Sequence, residues 1–271
     1  MHKIFFLGGI TILIFAFFYH SSANNSDCTS LTFLDVGQGD SILLSTKGGH
    51  QLLIDAGRGN AVMKVLPQYL PLGDKEIESV ILTHSDTDHY EGISSVAKNY
   101  KIDSILISKF EKGDIAFEKA VENIENSGAK LIRAEAGVQI DLGEDTYAKI
   151  IYPFAESVDD VNSNTSSVVV MVDHSGRKAI LTGDAPISVE RLLVDLYGET
   201  LDSDILKLGH HGSKNSSDEN FIKTVSPEIV IVSAGKNNNY GHPNVDVISM
   251  VKNLGIAIRS IIDEGSVSFC L

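Results

Sequence analysis

The sequence predicts an α/β domain whose two halves pack sheet against sheet, with helices on the outside. Three observations carry that prediction. The chain opens on three short strands joined by glycine-rich turns, moves to strand–helix alternation, and then partly repeats the scheme in its second half. Residues of metal-ligand type fall where strands end, as functional side chains do in open sheets. After the N-terminal segment no linker, low-complexity tract or short repeat divides the chain, so 31–271 reads as one domain.

Each element has a local reason. The stretch 31–36 is rich in β-forming residues; Gly37-Gln38-Gly39-Asp40 breaks it and 41–44 resumes. A third strand, 51–57, ends in an acid and a glycine turn, and a helical stretch near 61–66 is limited by Pro67. Alternation follows: strand 79–83, helix 91–99, strand 102–107, then an amphipathic helix at 115–126 with Ile115, Phe117, Val121 and Ile124 as its apolar positions. Strands are expected at 130–133, 139–142 and 147–152, and a polar rim loop at 157–167. In the second half, strands 168–173 and 178–182 flank the turn His174-Ser175-Gly176-Arg177, and Pro186 opens a helix at 187–196. Strand 204–208 leads into Gly209-His210-His211-Gly212, followed by helix 217–224, strand 228–233 and helix 245–254. Strands 257–261 and 266–270 close the chain around the turn Asp263-Glu264-Gly265.

The chain carries 36 acidic against 22 basic residues, a formal net charge of −14. Sequence-independent nucleic-acid binding relies on a basic face, so this balance argues against a broad nucleic-acid binder. It leaves room for an enzyme that meets phosphate through metal ions and a few local cations. At the N-terminus, His2 and Lys3 precede the almost wholly apolar run 4–19, and Ser21-Ser22-Ala23 supplies small residues before a cleavage point. This predicts export to a periplasmic or extracellular location with 1–23 removed as a signal peptide; an uncleaved membrane anchor is the alternative. Cys28 is a poor lipoprotein site, because Asp27 rather than a small residue precedes it. The only two cysteines, Cys28 and Cys270, are expected to pair in an exported protein, which requires the first and last strands to be neighbours. Two free buried thiols are the alternative.

The densest chemistry lies in His84-Ser85-Asp86-Thr87-Asp88-His89, directly after an apolar strand. Two imidazoles and two carboxylates held this close conflict unless a cation sits among them. Neutral imidazole nitrogen and carboxylate oxygen are both good ligands for zinc or manganese. Any one of these residues alone reads as a loop or helix-capping residue, but four at H-x-D-x-D-H spacing favour metal. Asp55, Asp184 in Leu181-Thr182-Gly183-Asp184-Ala185, and the pair His210-His211 end other strands and can converge on one site.

Together with Leu34-Asp35-Val36-Gly37-Gln38-Gly39-Asp40-Ser41, Leu53-Ile54-Asp55-Ala56-Gly57 and Lys207-Leu208-Gly209-His210-His211-Gly212-Ser213, these residues resemble the metallo-β-lactamase superfamily, most closely the soluble domain of ComEC-type competence proteins, over about 31–269. The resemblance implies a four-layer αββα sandwich with one or two divalent ions, zinc or manganese, and hydrolysis by metal-activated water. It places His84 and Asp86 on one metal, Asp88 and His89 on the second, and Asp184 between them. His210 would complete the second site, with His211 the alternative, and Asp55 would orient an imidazole from behind. Asp88 or Asp184 would accept or orient the water's proton. Asp86 stands where the superfamily usually has histidine, and Asn164-Thr165-Ser166-Ser167 stand where its middle histidine falls, as in ComEC-like sequences. The resulting oxygen-rich centre suits manganese as well as zinc. His174, in a hairpin turn, is no substitute.

Around the centre, Lys207 and Ser213 are candidates for phosphate contact, Lys207 being otherwise a solvated strand residue. Gln38 and Asp40 either line the site or are turn residues. The resemblance puts His242, in Tyr240-Gly241-His242-Pro243, at the substrate rim; otherwise it is an exposed lead-in to a helix begun by Pro243. The expected activity is hydrolysis of phosphodiesters, foremost DNA as substrate for a nuclease, with another ester, an amide or a lactam as the alternative substrate. No protein partner is predicted, and the membrane is met only if the leader remains. After Tyr19 no segment could form the channel that ComEC proteins also carry, so DNA uptake is not implied.

Overall fold

The computed structural model describes residues 28–108, 115–155 and 162–271. The leader 1–23 and the first part of the expected rim loop, 157–161, lie outside the described residues.

Six strands build most of a first sheet: β1 Ser30–Phe33, β2 Ile42–Ser45, β3 Gln51–Ile54, β4 Glu76–Leu82, β5 Lys101–Ile107 and β6 Lys130–Arg133. Seven build a second: β7 Gln139–Asp141, β8 Thr146–Tyr152, β9 Val169–His174, β10 Arg177–Leu181, β11 Ile205–Lys207, β12 Ile229–Val232 and β13 Ala257–Ser260. The last strand, β14 Val267–Cys270, returns to the first sheet, whose order is β14-β1-β2-β3-β4-β5-β6; the second runs β13-β12-β11-β10-β9-β8-β7. Each sheet joins an antiparallel meander to parallel strands, and in each the change of direction falls mid-sheet, at β3–β4 and β10–β11.

The central strands are apolar on both faces because both faces are buried, whereas edge strands such as β6 and β7 carry polar residues and are partly exposed. Leu52 and Ile54 of β3 join the core between the sheets, while Leu53, on the opposite side of the pleat, faces the helices. Helices Ile93–Asn99 and Ile115–Asn126 cover the first sheet through Ile93, Val96, Phe117, Val121 and Ile124. Helices Ile187–Tyr197, Glu219–Val225 and Val245–Asn253 cover the second through Val189, Leu193, Phe221, Ile222, Val247 and Val251. The result is the expected αββα sandwich. Among the described residues no helix is long and apolar enough to cross a membrane.

Two local expectations need correction. Ile115 does not join the buried face, because it is the first residue of its helix and lies exposed. The two closing strands are not a hairpin: Ile261–Glu264 is a short helix, and β13 and β14 fall in different sheets. That crossover places β14 beside β1, pairing Ser30 with Cys270. Cys28 and Cys270 form a disulfide there, their Cα atoms 5.7 Å apart across 242 residues of sequence. Bridging so long a loop removes much chain entropy from the unfolded state.

One buried acid ties the fold to the site. Glu190 accepts 2.7 Å hydrogen bonds from the backbone N–H groups of Ser217 and Asp218, fastening the loop that begins at Gly209. Burial pushes its carboxyl up to about 7, helped by the charge of Asp218, against the two N–H donors and Arg191. Because its pKa rises on folding from an ordinary 4.5, the folded chain binds more protons than the unfolded chain between about pH 4.5 and 7. This group therefore withdraws stability as pH climbs through that window. Urea unfolding at a series of pH values should show Glu190→Gln lacking that component of the wild-type slope; identical slopes would rule it out.

Candidate metal centre

The site lies where the parallel strands of both sheets end. β3 delivers Asp55, β4 delivers Thr83 and His84, β10 delivers Asp184, and β11 runs into the turn Gly209–Gly212 with His210 and His211. The sheets meet there, Val168 N donating to Thr83 O at 2.9 Å. Gly39 lets a further loop close in. At φ 120° it packs against the carbonyl of Asp88 where no Cβ would fit, and Asp40 N donates to that same oxygen at 3.2 Å.

Three imidazoles are pinned in one sense. Buried Asp55 accepts from Thr83 N at 2.8 Å, Thr83 Oγ1 at 2.7 Å and His89 Nδ1 at 2.7 Å. Having given its one proton to Asp55, the Thr83 hydroxyl accepts from Nδ1–H of His84, 2.9 Å away. His211 donates its Nδ1–H to Ser233 O at 2.7 Å. Each ring therefore turns a bare Nε2 inward. The Nε2 atoms of His84, His89 and His211, with Oδ1 of Asp184, are buried without a hydrogen-bond partner. Such orphans cost about 1–3 kcal/mol each. Nitrogen and carboxylate lone pairs turned toward one buried carboxylate fit a divalent cation.

Asp184 is the hub. Its Oδ1 lies 3.2 Å from His89 Nε2, and its Oδ2 lies 3.8 Å from His84, 3.6 Å from His210 and 3.7 Å from His211, each at Nε2. Asp86 Oδ2 approaches His84 Nε2 at 3.6 Å, and Asp88 Oδ2 approaches His211 Nε2 at 3.4 Å. Asp86 occupies the N-cap position of helix Thr87–Tyr90 yet makes no capping bond, leaving its carboxylate to the centre. Two ligand sets thus flank Asp184: His84, Asp86 and His210 on one side, and Asp88, His89 and His211 on the other.

Burial raises the carboxyl of Asp184, but His89 and His211 outweigh it and hold the group well below the usual range. Asp88, raised by burial, is drawn down to about 2 by His211 and His89. Burial depresses His89, but Asp184 and Asp55 lift it well above its ordinary value. His211 is likewise lowered by burial and raised, to about 9, by Asp184, Asp40 and Asp88. With no cation present, protons fill its place, so metal binding expels them.

Several sequence expectations shift. Of the two neighbouring histidines, the alternative, His211, is the one beside Asp88 and His89. His211 is buried there, whereas His210 is 28% exposed and brings its Nε2 to 3.6 Å from Asp184 Oδ2. Both sit at positive φ, 48° and 58°, which splays their rings 76° apart. Asn164, from the segment standing where the superfamily's middle histidine falls, places its amide Nδ2 3.4 Å from His210 Nδ1.

Lys207 is neither a phosphate contact nor solvated. It is fully buried, donates to Gly183 O at 2.8 Å, pairs with Asp40 and lies 3.9 Å from Asp184. A buried ammonium demands such a partner. Asp40 is consequently no turn residue. Ligand atoms of Asp40, His89, Asp184 and His211 lie within 4.8 Å of one another. Asp40 nevertheless faces Nδ1 of His89, at 3.9 Å, and of His211, at 3.6 Å, which is the protonated side of both rings. It supports the centre from behind, where Asp88 faces the bare nitrogens. Ser213 is buried and closes the turn, its N donating to His210 O at 2.9 Å and its Oγ accepting from Asn215 N at 3.2 Å. Gln38 spends its side-chain oxygen on Gly235 N at 3.1 Å. His242 stands at the rim, its ring 5.3 Å from that of His210. His174 is bonded to Thr146 at the β9–β10 hairpin, away from the centre. Thr83 and Ser233 were missed; Thr83 shows as a hydroxyl just before the ligand run, whereas Ser233 acts through its backbone carbonyl and leaves no sequence trace.

Metal analysis of purified variants tests the division of the histidines. His210→Ala and His211→Ala should each lose about one ion relative to wild type, and the double variant both. Unchanged metal content in His210→Ala would remove that residue from the centre.

The metallo-β-lactamase superfamily model matches residues 34–236. The chain is 29% identical over 283 residues to ComE operon protein 3 of Bacillus subtilis (strain 168), covering 97% of this chain and 35% of that protein. It is 31% identical over 254 residues to competence protein ComA of Neisseria gonorrhoeae, covering 93% and 34%. It therefore spans about a third of the length of these curated relatives. Among solved structures, the metallo-β-lactamase fold protein YhfI of Bacillus subtilis superposes with a TM-score of 0.58 at 13% identity, over 89% of this chain and 99% of that one, a likeness of fold alone. The H-x-D-x-D-H run, Asp184 and the histidine pair all lie inside the matched span: the chain belongs to the metallo-β-lactamase superfamily, among its ComEC-like members.

Proposed function

We propose that the protein is an exported metal-dependent phosphodiesterase that cleaves DNA. The charge at the mouth of the centre carries this reading. Beside the turn that carries Asp86 and Asp88, two loops border it: 209–217 with the histidine pair, and 235–244 through His242. Loops 209–217 and 235–244 contain no Asp or Glu, and they carry Lys214 and Lys236 among Asn, Ser, Gly and His. An anionic group approaching over these two loops meets polar and cationic side chains, in a chain of net charge −14, and the carboxylates of Asp86 and Asp88 opposite would be offset by bound cations.

When bound, a divalent cation supplies Lewis-acid polarisation and an activated water at neutral pH. The protein's own residues hold it and shape what happens around it. Asp184 is sealed, at 3% side-chain exposure, and keeps the two ligand sets together. Of Asp184 and Asp88, Asp88, 23% exposed, is the one a water at the mouth can reach, so it would orient that water and accept its proton. Asp55, Thr83 and Ser233 fix the rings, so little reorganisation is needed during reaction. Lys207 offsets the charge of Asp40 beside the cluster.

The relatives named as competence proteins support DNA as the substrate. The disulfide supports export, since such bonds persist in oxidising compartments. The acidic net charge favours a second reading, a non-nucleotide ester, amide or lactam. Purified protein with added Zn or Mn, offered labelled single- and double-stranded DNA, bis(p-nitrophenyl) phosphate and a lactam, separates the two. DNA and diester hydrolysis is expected, abolished by chelator and lowered about 100-fold or more by Asp88→Ala. Lactam turnover without diester cleavage would overturn the phosphodiesterase reading, as would DNA cleavage that survives both chelation and Asp88→Ala.

A further inference from the structure

One feature of the rim is not accounted for by metal binding. Tyr240 is 67% exposed, an aromatic ring held out into solvent at the edge of the centre. Its loop is braced rather than loose. Asn238 accepts from the backbone N–H of Tyr240 at 3.1 Å and of His242 at 3.0 Å, and donates to the carbonyls of Gly235 at 2.8 Å and His242 at 2.6 Å. Gly235 N in turn donates to Gln38 at 3.1 Å, anchoring the loop to the first sheet's side of the site. On this support the Tyr240 ring lies nearly parallel to that of His242, 12° between planes and 6.2 Å between centroids. The His242 ring packs against His210, 5.3 Å away at 63°. A stepped series of rings therefore runs from open solvent to a ligand-type histidine. No acid stands in the loop, and Lys236 lies four residues before Tyr240.

A tyrosine buries large area with few rotatable bonds, and an aromatic face beside a cationic loop is what a flat, electron-rich base on an anionic backbone stacks upon. We propose that Tyr240, backed by His242, is a nucleobase-binding subsite that grips a base of the substrate next to the phosphodiester being cleaved. The proposal rests on the phosphodiesterase reading above and adds to it: the substrate is held by a base as well as by its phosphate. Because a base must leave its own stack to lie on a protein ring, such a subsite favours unpaired strands.

The test compares two labelled single strands of equal length and identical phosphodiester linkages, one bearing bases and one made of abasic residues, with metal-loaded protein. Wild type should show a KM about tenfold or more lower for the base-bearing strand. Tyr240→Ala should bring the two KM values together, with metal content and thermal unfolding as controls for an intact fold, and Tyr240→Phe should keep the preference, since stacking needs no hydroxyl. Equal KM values in wild type, or a preference that persists in Tyr240→Ala, would overturn the subsite and leave the phosphodiesterase reading standing. Failure of wild type to cleave either strand would overturn that reading and the subsite with it.

Discussion

Three imidazole rings have their Nδ1 protons committed to fixed acceptors and their Nε2 lone pairs turned toward one buried carboxylate. The rest of the site depends on that constraint. Rotating any ring to satisfy its Nε2 would break a short hydrogen bond behind it, so the bare nitrogens cannot be relieved locally. Asp55 does most of the fixing, since one carboxylate ties the end of β3 to Thr83 at the end of β4 and to His89 on the helix beyond. Outer partners of this kind orient ligands and raise their basicity.

The balance of buried charge points the same way. Asp55 is met by three donors and Asp40 by the ammonium of Lys207, so each has its compensation within the protein. Asp184 is different. Its neighbours are the imidazoles just described, and Lys207, in contact with Asp40, is 3.9 Å away from it. A buried carboxylate left in that state is expensive unless protons or a cation are shared with the rings around it. The two-sheet architecture makes this arrangement reachable, because parallel strands of both sheets end at one edge and each contributes a loop.

Much of this was legible in the sequence. Periodicity and turn chemistry located nearly all the strands, and the H-x-D-x-D-H run, Asp55 and Asp184 were visible as ligand-type residues at strand ends. What was not legible depends on backbone conformation or on tertiary burial. Nothing in Gly209-His210-His211-Gly212 announces two consecutive left-handed residues, and without them the choice of His211 over His210 beside Asp88 and His89 has no cause. Lys207 and Ser213 sit in segments that read as strand and polar turn, and only the packing of both sheets shows them sealed inside. Asp40 reads as a turn acid until Gly39 is seen to admit its loop against Asp88. The separation of β13 from β14 escaped local reasoning because a turn-like Asp263-Glu264-Gly265 serves a sheet crossover as readily as a hairpin.

The most direct test of a shared centre is anomalous diffraction at the zinc or manganese absorption edge from crystals of the metal-loaded protein. Two peaks are expected, both bound by Asp184, one also by His84 and His210 and the other also by His89 and His211. Peaks elsewhere on the surface, with Asp184 and the three bare Nε2 atoms left unliganded, would contradict it.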